Sequence, residues 1–346
     1  MTDPAPDPAA TGGPSADWAA IPKIELHLHL EGAAPPEFVR RLAATKGVDL
    51  SGLFDAEGRY LSNDFTSFLR AYERVSGVFT TPADYAALTE AVLAAAAANG
   101  VIYAEIFLSP TSFGYDFGGW AEMLAAVEEG ADRAEAAYGV LCRFIPVAIR
   151  HHDPALARDV AEAALAAPRG RVAGFGLAGD ERMNAPGDYA GGFAAAKEAG
   201  LRLTAHAGEF GGPDSVRAAL DDLGVERIGH GVRAAEDADL VKRLAAEGVT
   251  LETCPGSNVA LGVYPDLAAH PVRRLADAGC QVTVSTDDPP FFHTTMAAEY
   301  EGLARVHGFD AAAFGRLGQS ALRAAFCDEA TKKTLAARLA SADAGG

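Results

Sequence analysis

The chain reads as an α/β protein built on a TIM (β/α)8 barrel, with an extra helical cap inserted after the first strand. Three observations lead there. Eight short β-prone runs alternate with Ala-rich helical stretches along 346 residues, and repeated β–α units imply parallel strands joined by right-handed crossovers. Eight is the number of strands that closes such a barrel. The competing open doubly wound sheet calls for a glycine-rich phosphate turn after an early strand, and the sequence has none.

The elements follow in order. Strands are expected at 24–29, 102–108, 143–149, 172–177, 202–207, 227–230, 250–253 and 281–285. Helical patterns lie between them at 85–98, 121–137, 154–166, 189–199, 215–223, 238–246 and 270–278. Many of these stop at a glycine able to take the left-handed C-terminal position: Gly100, Gly139, Gly200, Gly224, Gly248 and Gly279. The stretch after the first strand is longer than one crossover helix requires. Residues 50–80, with Phe54, Phe65, Phe68, Leu69, Tyr72 and Phe79, are therefore expected to form a helical cap over the barrel mouth. One catalytic domain is expected over 19–340, with disordered tails at 1–18 and 341–346, the first of these lacking the basic start and apolar core of a secretory signal.

Composition narrows the function classes. A net charge of −18 opposes nucleic-acid and anionic-membrane partners, which call for a basic surface. No stretch approaches the roughly 18 uncharged apolar residues of a membrane span. Cys142, Cys254, Cys280 and Cys327 are scattered without a CxxC pair, a pattern of reduced thiols in a cytoplasmic protein. Nothing in the sequence bears on oligomeric state.

The chemistry gathers at strand ends. In His27-Leu28-His29, residues i and i+2 of an extended strand share a face, so both imidazoles point one way, with Ile24, Leu26, Leu28 and Leu30 on the other. The fifth strand ends in His206-Ala207-Gly208-Glu209, the sixth in Gly229-His230-Gly231, and the eighth in Ser285-Thr286-Asp287-Asp288-Pro289. Active sites of this fold lie at the C-terminal strand ends, and four of the nine histidines with two adjacent aspartates fall on that rim. His27, His29, His206 and one aspartate suit a catalytic zinc that keeps an open position. Adjacent residues on a strand cannot point at one atom, so one aspartate is left to face substrate. Glu209 is the general acid/base candidate, while His230 remains a ligand, a supporting group or a base. His151 and His152 end the third strand, where a pocket role is open to them. His270, His293 and His307 read as structural or solvated.

Assembled, these residues resemble the adenosine/adenine deaminase family of zinc hydrolases over about residues 20–335. The motifs are the segment from Pro22 to Gly32, Leu177-Ala178-Gly179-Asp180-Glu181, His206-Ala207-Gly208-Glu209, Arg227-Ile228-Gly229-His230-Gly231, Cys254-Pro255-Gly256-Ser257-Asn258 and Ser285-Thr286-Asp287-Asp288-Pro289. The Pro-Cys-x-x-Cys motif of cytidine-deaminase-type enzymes is absent. The resemblance implies one Zn2+ on His27, His29, His206 and Asp287. It also implies that Glu209 exchanges a proton with purine N1, His230 orients the attacking hydroxide, Asp288 bonds N7 and the Gly179 N–H meets N3. The implied reaction is hydrolytic deamination at C6 of an adenine-type purine.

Two departures bear on which purine. Glu31 stands where adenosine deaminases carry an Asp that contacts the ribose 5′-hydroxyl, and Gly176 stands where they often have Asp. Leu177-Ala178-Gly179-Asp180-Glu181 points the other way, toward the adenosine branch. Adenosine or deoxyadenosine is the expected substrate, with adenine, or a modified nucleoside such as aminodeoxyfutalosine, as the alternative. A binuclear amidohydrolase usually presents a bridging Lys or carboxylate at the end of strand four, and Gly174-Phe175-Gly176-Leu177-Ala178-Gly179 offers no Lys.

Overall fold

The computed structural model describes residues 17–61, 64–109, 119–165 and 170–343. Of the two expected tails, residues 1–16 and 344–346 lie outside the described residues, while 341–343, expected to be disordered, are the last turn of a helix that runs Glu329–Asp343. Within the described residues, the Trp18 ring packs at 5.6 Å on Phe314. Eight parallel strands follow one another around the sheet in chain order: β1 Lys23–His29, β2 Val101–Leu108, β3 Leu141–Ile149, β4 Gly174–Ala178, β5 Arg202–Ala207, β6 Arg227–His230, β7 Thr250–Thr253 and β8 Gln281–Val284. This is the TIM barrel expected. The ring closes just beyond β8, where the His29 N–H donates to the Asp287 carbonyl at 3.0 Å and the Asp287 N–H to the His27 carbonyl at 3.2 Å. The closing bonds therefore run through three of the residues that converge at the site.

The first strand departs from simple alternation. Glu25 pairs with Ala104 but Leu28 with Ile106, so three steps on β1 oppose two on β2, the signature of a bulge. Below it, Ile24 and Leu26 pack with Tyr103, Ala321 and Leu322 in a separate cluster, whereas Leu28 and Leu30 belong to the main core. The four aliphatic residues thus do not share one face, because the extra residue shifts the phase between Leu26 and His27.

Three helices separate β1 from β2: α1 Pro36–Lys46, α2 Phe65–Ser76 and α3 Pro82–Ala97. Asp64 and Ser67 form a reciprocal capping box that starts α2. Phe65 on α2 lies 4.6 Å from Phe210, and Phe68 lies 5.0 Å from Phe292, so α2 sits across the loops that follow β5 and β8. The outer helices continue as α4 Trp120–Tyr138, α5 Leu156–Ala164, α6 Ala190–Glu198, α7 Pro213–Leu223, α8 Ala238–Glu247, α9 Pro255–Ala260 and α10 Val272–Asp277. All six glycines expected to stop helices have positive φ, between 62° and 90°. After β8 come α11 Met296–His307, α12 Ala311–Ala324 and α13 Glu329–Asp343, helices that the sequence reading did not place. The α12 residues Ala321 and Leu322 cover Ile24 and Leu26.

Candidate active site

The ends of three strands, β1, β5 and β8, bring His27, His29, His206 and Asp287 together, with one potential ligand atom from each lying within 4.8 Å of the others. Asp287 Oδ1 is 3.4 Å from His27 Nε2 and 3.2 Å from His29 Nε2. His29 Nε2 and His206 Nε2 are 3.2 Å apart. Neighbours fix two of the tautomers. His27 Nδ1 faces the fully buried Glu252 carboxylate at 2.8 Å, and His206 Nδ1 faces the Leu177 carbonyl at 2.9 Å. Each of those nitrogens carries a proton, which leaves Nε2 of both rings as the atom turned toward the cluster and available, once deprotonated, to a metal. His27 Nε2 has no hydrogen-bond partner among the described residues. Burial opposes charge on His27, yet Asp287 and Glu252 outweigh it and hold its pKa up at about 9. A field that favours positive charge here, among three imidazoles and a carboxylate, fits a divalent cation with nitrogen and oxygen ligands, zinc among them.

The backbone is shaped around this cluster. His230 and Asp287 are non-glycine residues with φ of 58° and 66°, conformations that cost on the order of 1 kcal/mol each and gather at functional sites. A Cβ on Gly229 would lie 2.9 Å from the His27 ring, so only glycine allows β6 to pass that close. Beneath, Glu252 also accepts from Thr204 at 2.8 Å and pairs with Arg227 at 2.6 Å. Arg227 in turn reaches Glu105 at 2.7 Å and lies 3.5 Å over the Phe326 ring. A buried chain of alternating charge thus runs from His27 down the barrel interior.

Glu209 is carried by a loop that a second buried carboxylate organises. Glu181 accepts from the backbone N–H groups of Gly208, Glu209, Phe210 and Gly211, the last three at 2.8–2.9 Å, and from the Ser215 hydroxyl. Burial works against the Glu181 charge, but these bonds hold its pKa below the ordinary value. Glu209 has no such donors among the described residues. Burial, joined by the Asp287 and Glu181 charges, pushes its carboxyl well above the usual range, so it keeps a proton more readily. Its Oε2 lies 3.7 Å from His230 Nε2. Burial lowers His230 to about 4, leaving the imidazole neutral at pH 7.

A cavity of about 400 Å3 opens over these groups. Its wall includes His29, His206, Glu209, His230, Asp287, Asp288 and Gly179, and its roof includes Phe65, Phe68, Leu69 and Tyr72 of α2. Asp288 Oδ1 is buried without a hydrogen-bond partner among the described residues and rests on the Gly32 backbone, where a Cβ would meet it at 1.4 Å. Glu31 is the exception among the expected substrate contacts. It is fully buried, accepts from the Tyr72 hydroxyl at 3.0 Å and lies behind that side chain, off the cavity wall.

Several residues had no role in the sequence reading. Glu252 gave a signal, as a carboxylate inside the apolar run Thr250-Leu251-Glu252-Thr253. Glu181, Ser257 and Asn258 stood within motifs without an assigned contact; Ser257 donates to Asp287 Oδ2 at 2.7 Å. His151 and His152 do line the cavity, beside Gly179. His270, read as structural, is buried and bonded to Asn258.

Residues 22–342 match the family model described as adenosine deaminase. The chain is 50% identical over 320 residues to an adenine deaminase of Rhizobium leguminosarum bv. trifolii, covering 92% of this chain and 99% of that one. It is 48% identical over 324 residues to an adenine deaminase of Sinorhizobium medicae, covering 93% and 99%. Among solved structures, adenine deaminase from Arthrobacter aurescens superposes with a TM-score of 0.85 at 34% identity, over 93% of this chain and 99% of that chain. A zinc-bound amidohydrolase from Burkholderia ambifaria superposes with a TM-score of 0.84 at 29% identity, over 94% and 91%. The chain belongs to the adenosine deaminase family of metal-dependent deaminases.

Proposed function

We propose that this protein hydrolyses adenine to hypoxanthine and ammonia, using one zinc ion held by His27, His29, His206 and Asp287. The observation that carries the substrate assignment is near full-length identity of 47–50% to relatives named adenine deaminase. This reading replaces adenosine, the substrate expected from sequence, with its stated alternative. Two of the sequence signals have other physical explanations. Glu181, in the motif that pointed to adenosine, binds the loop of Glu209, a task indifferent to what sits on N9. Gly176 is set by packing, since a Cβ there would lie 2.9 Å from Val147.

Zinc in such a site supplies the Lewis acidity that makes hydroxide available at neutral pH. The residues supply the rest. Glu209, whose burial favours the protonated carboxyl, gives its proton to N1 and makes C6 electrophilic. His230 positions the attacking oxygen. Asp288, pushed well up by burial and by the adjacent Asp287 charge, donates to N7, and the Gly179 N–H meets N3. Water adds at C6, one of its protons restoring Glu209 and the other passing to the amino group, which leaves as ammonia while N1 keeps the proton it took. Ammonia release from a panel of purine bases and nucleosides tests the reading: adenine is the preferred substrate, and a preference for adenosine would overturn it.

A further inference from the structure

His230 is the cavity group whose chemistry depends most on a hydrogen that side-chain geometry alone does not locate. A neutral imidazole presents either a donor or an acceptor at Nε2, according to where its single proton sits. The contacts behind it remove that ambiguity, starting from a group with only one possible polarity.

The backbone N–H of Val272 donates to His270 Nδ1 at 3.2 Å. A backbone N–H can only donate, so His270 Nδ1 is bare and its proton lies on Nε2. His270 Nε2 lies 3.1 Å from Asn258 Oδ1, and a ring N–H requires an acceptor there, which fixes the amide orientation. The Asn258 amide NH2 is then turned toward His230, with Nδ2 3.2 Å from His230 Nδ1. An NH2 group can only donate. His230 Nδ1 must therefore be bare, and its proton must lie on Nε2, which faces Glu209 and has no hydrogen-bond partner among the described residues. His270, Asn258 and His230 are all buried, so water is poorly placed to supply the opposite polarity.

We infer that His270 and Asn258 are positioning residues that lock His230 as its Nε2–H tautomer, making it a hydrogen-bond donor to the reacting oxygen and not a base. One direction of donation runs from the Val272 backbone through three side chains, His270, Asn258 and His230, into the cavity. A neutral imidazole with its proton already facing the cavity has no lone pair there with which to take another from water. His230 therefore steadies an oxygen lone pair or the Glu209 carboxyl, and proton exchange is left to Glu209. The tautomer assignment stands on geometry alone; only its kinetic consequence rests on the proposed deaminase reaction.

The test is long-range 1H–15N correlation spectroscopy on zinc-loaded, full-length protein with 15N-labelled histidine, the His230 signals being assigned by their loss in His230→Gln. His230 is expected to show a protonated Nε2 and a bare Nδ1. A protonated Nδ1 in the wild type would overturn the inference outright. In His270→Phe, which fills the space but frees the Asn258 amide to turn, His230 is expected to populate both tautomers. Its kcat on adenine should fall about tenfold, with KM and zinc content within about twofold of wild type. An unchanged tautomer in folded His270→Phe would also overturn the inference. If that variant does not fold, the wild-type spectrum still decides. Failure of the protein to turn over adenine would strike the proposed substrate and leave the spectrum untouched.

Discussion

Glu181 touches no candidate metal ligand, yet the fold hangs the Glu209 loop on it, and Glu181→Gln isolates that role. The side chains are nearly the same size, but an amide NH2 replaces one carboxylate oxygen. Oε2 accepts three backbone N–H groups, from Glu209, Phe210 and Gly211, so the remaining amide oxygen of Gln belongs there. Its NH2 then faces the Gly208 N–H and the Ser215 hydroxyl, which pair with Oε1 in the native protein. The hydroxyl can rotate to accept; the Gly208 N–H cannot. One buried donor left unpaired costs about 1–3 kcal/mol, and weaker neutral bonds to the other three add about 1 kcal/mol. The expected loss is about 3 kcal/mol, seen as a fall in Tm of roughly 5 °C in a thermal melt. Loss of positional control over Glu209 should lower kcat on the order of 100-fold, the effect of a displacement near 1 Å. Zinc content should stay at the wild-type level. A variant with unchanged Tm and with kcat within twofold of wild type would refute the reasoning.

Other outcomes follow from the same geometry. Glu209→Gln should keep stoichiometric zinc by metal analysis while losing most of kcat; near-wild-type turnover would remove Glu209 from the proton step. Glu252→Gln should weaken zinc binding by about 10–100-fold in a chelator competition, since it orients His27 from behind, and unchanged affinity would deny that role. Glu181 also predicts acid lability. Its depressed folded pKa contributes stability that is fully present above the unfolded value near 4.5 and is lost as pH falls through the folded pKa. The stability difference between wild type and Glu181→Gln should therefore shrink on acidification below that value, as read from urea melts. Tyr72→Ala should raise kcat/KM for adenosine relative to adenine, because it opens the wall in front of Glu31; a constant ratio would place the discrimination elsewhere.

Much of this was legible in the sequence because it depends on local rules. Strand–helix alternation and helix-ending glycines follow from backbone preferences, and the rim histidines could be placed once eight strands were counted. The same local rules failed where the answer depends on a partner strand. The slip in β1 arises from pairing Leu28 with Ile106, and no alternation within β1 alone reveals it. Glu252 and Glu181 act across 225 and 27–30 residues of chain, on His27 and on the Gly208–Gly211 backbone respectively, so their partners appear only after folding. Glu31 was visible as a departure, but its position behind Tyr72 depends on how α2 packs over the mouth. Helices α11 to α13 were missed because the count of strands was already complete at β8.

The central claim is that this site deaminates free adenine. It is tested most directly by kcat/KM for adenine and for adenosine, measured side by side as ammonia release by the zinc-loaded protein. The account predicts that adenine is favoured by at least about 100-fold, as for a site fitted to one ligand and closed to a larger one. A preference for adenosine would contradict it.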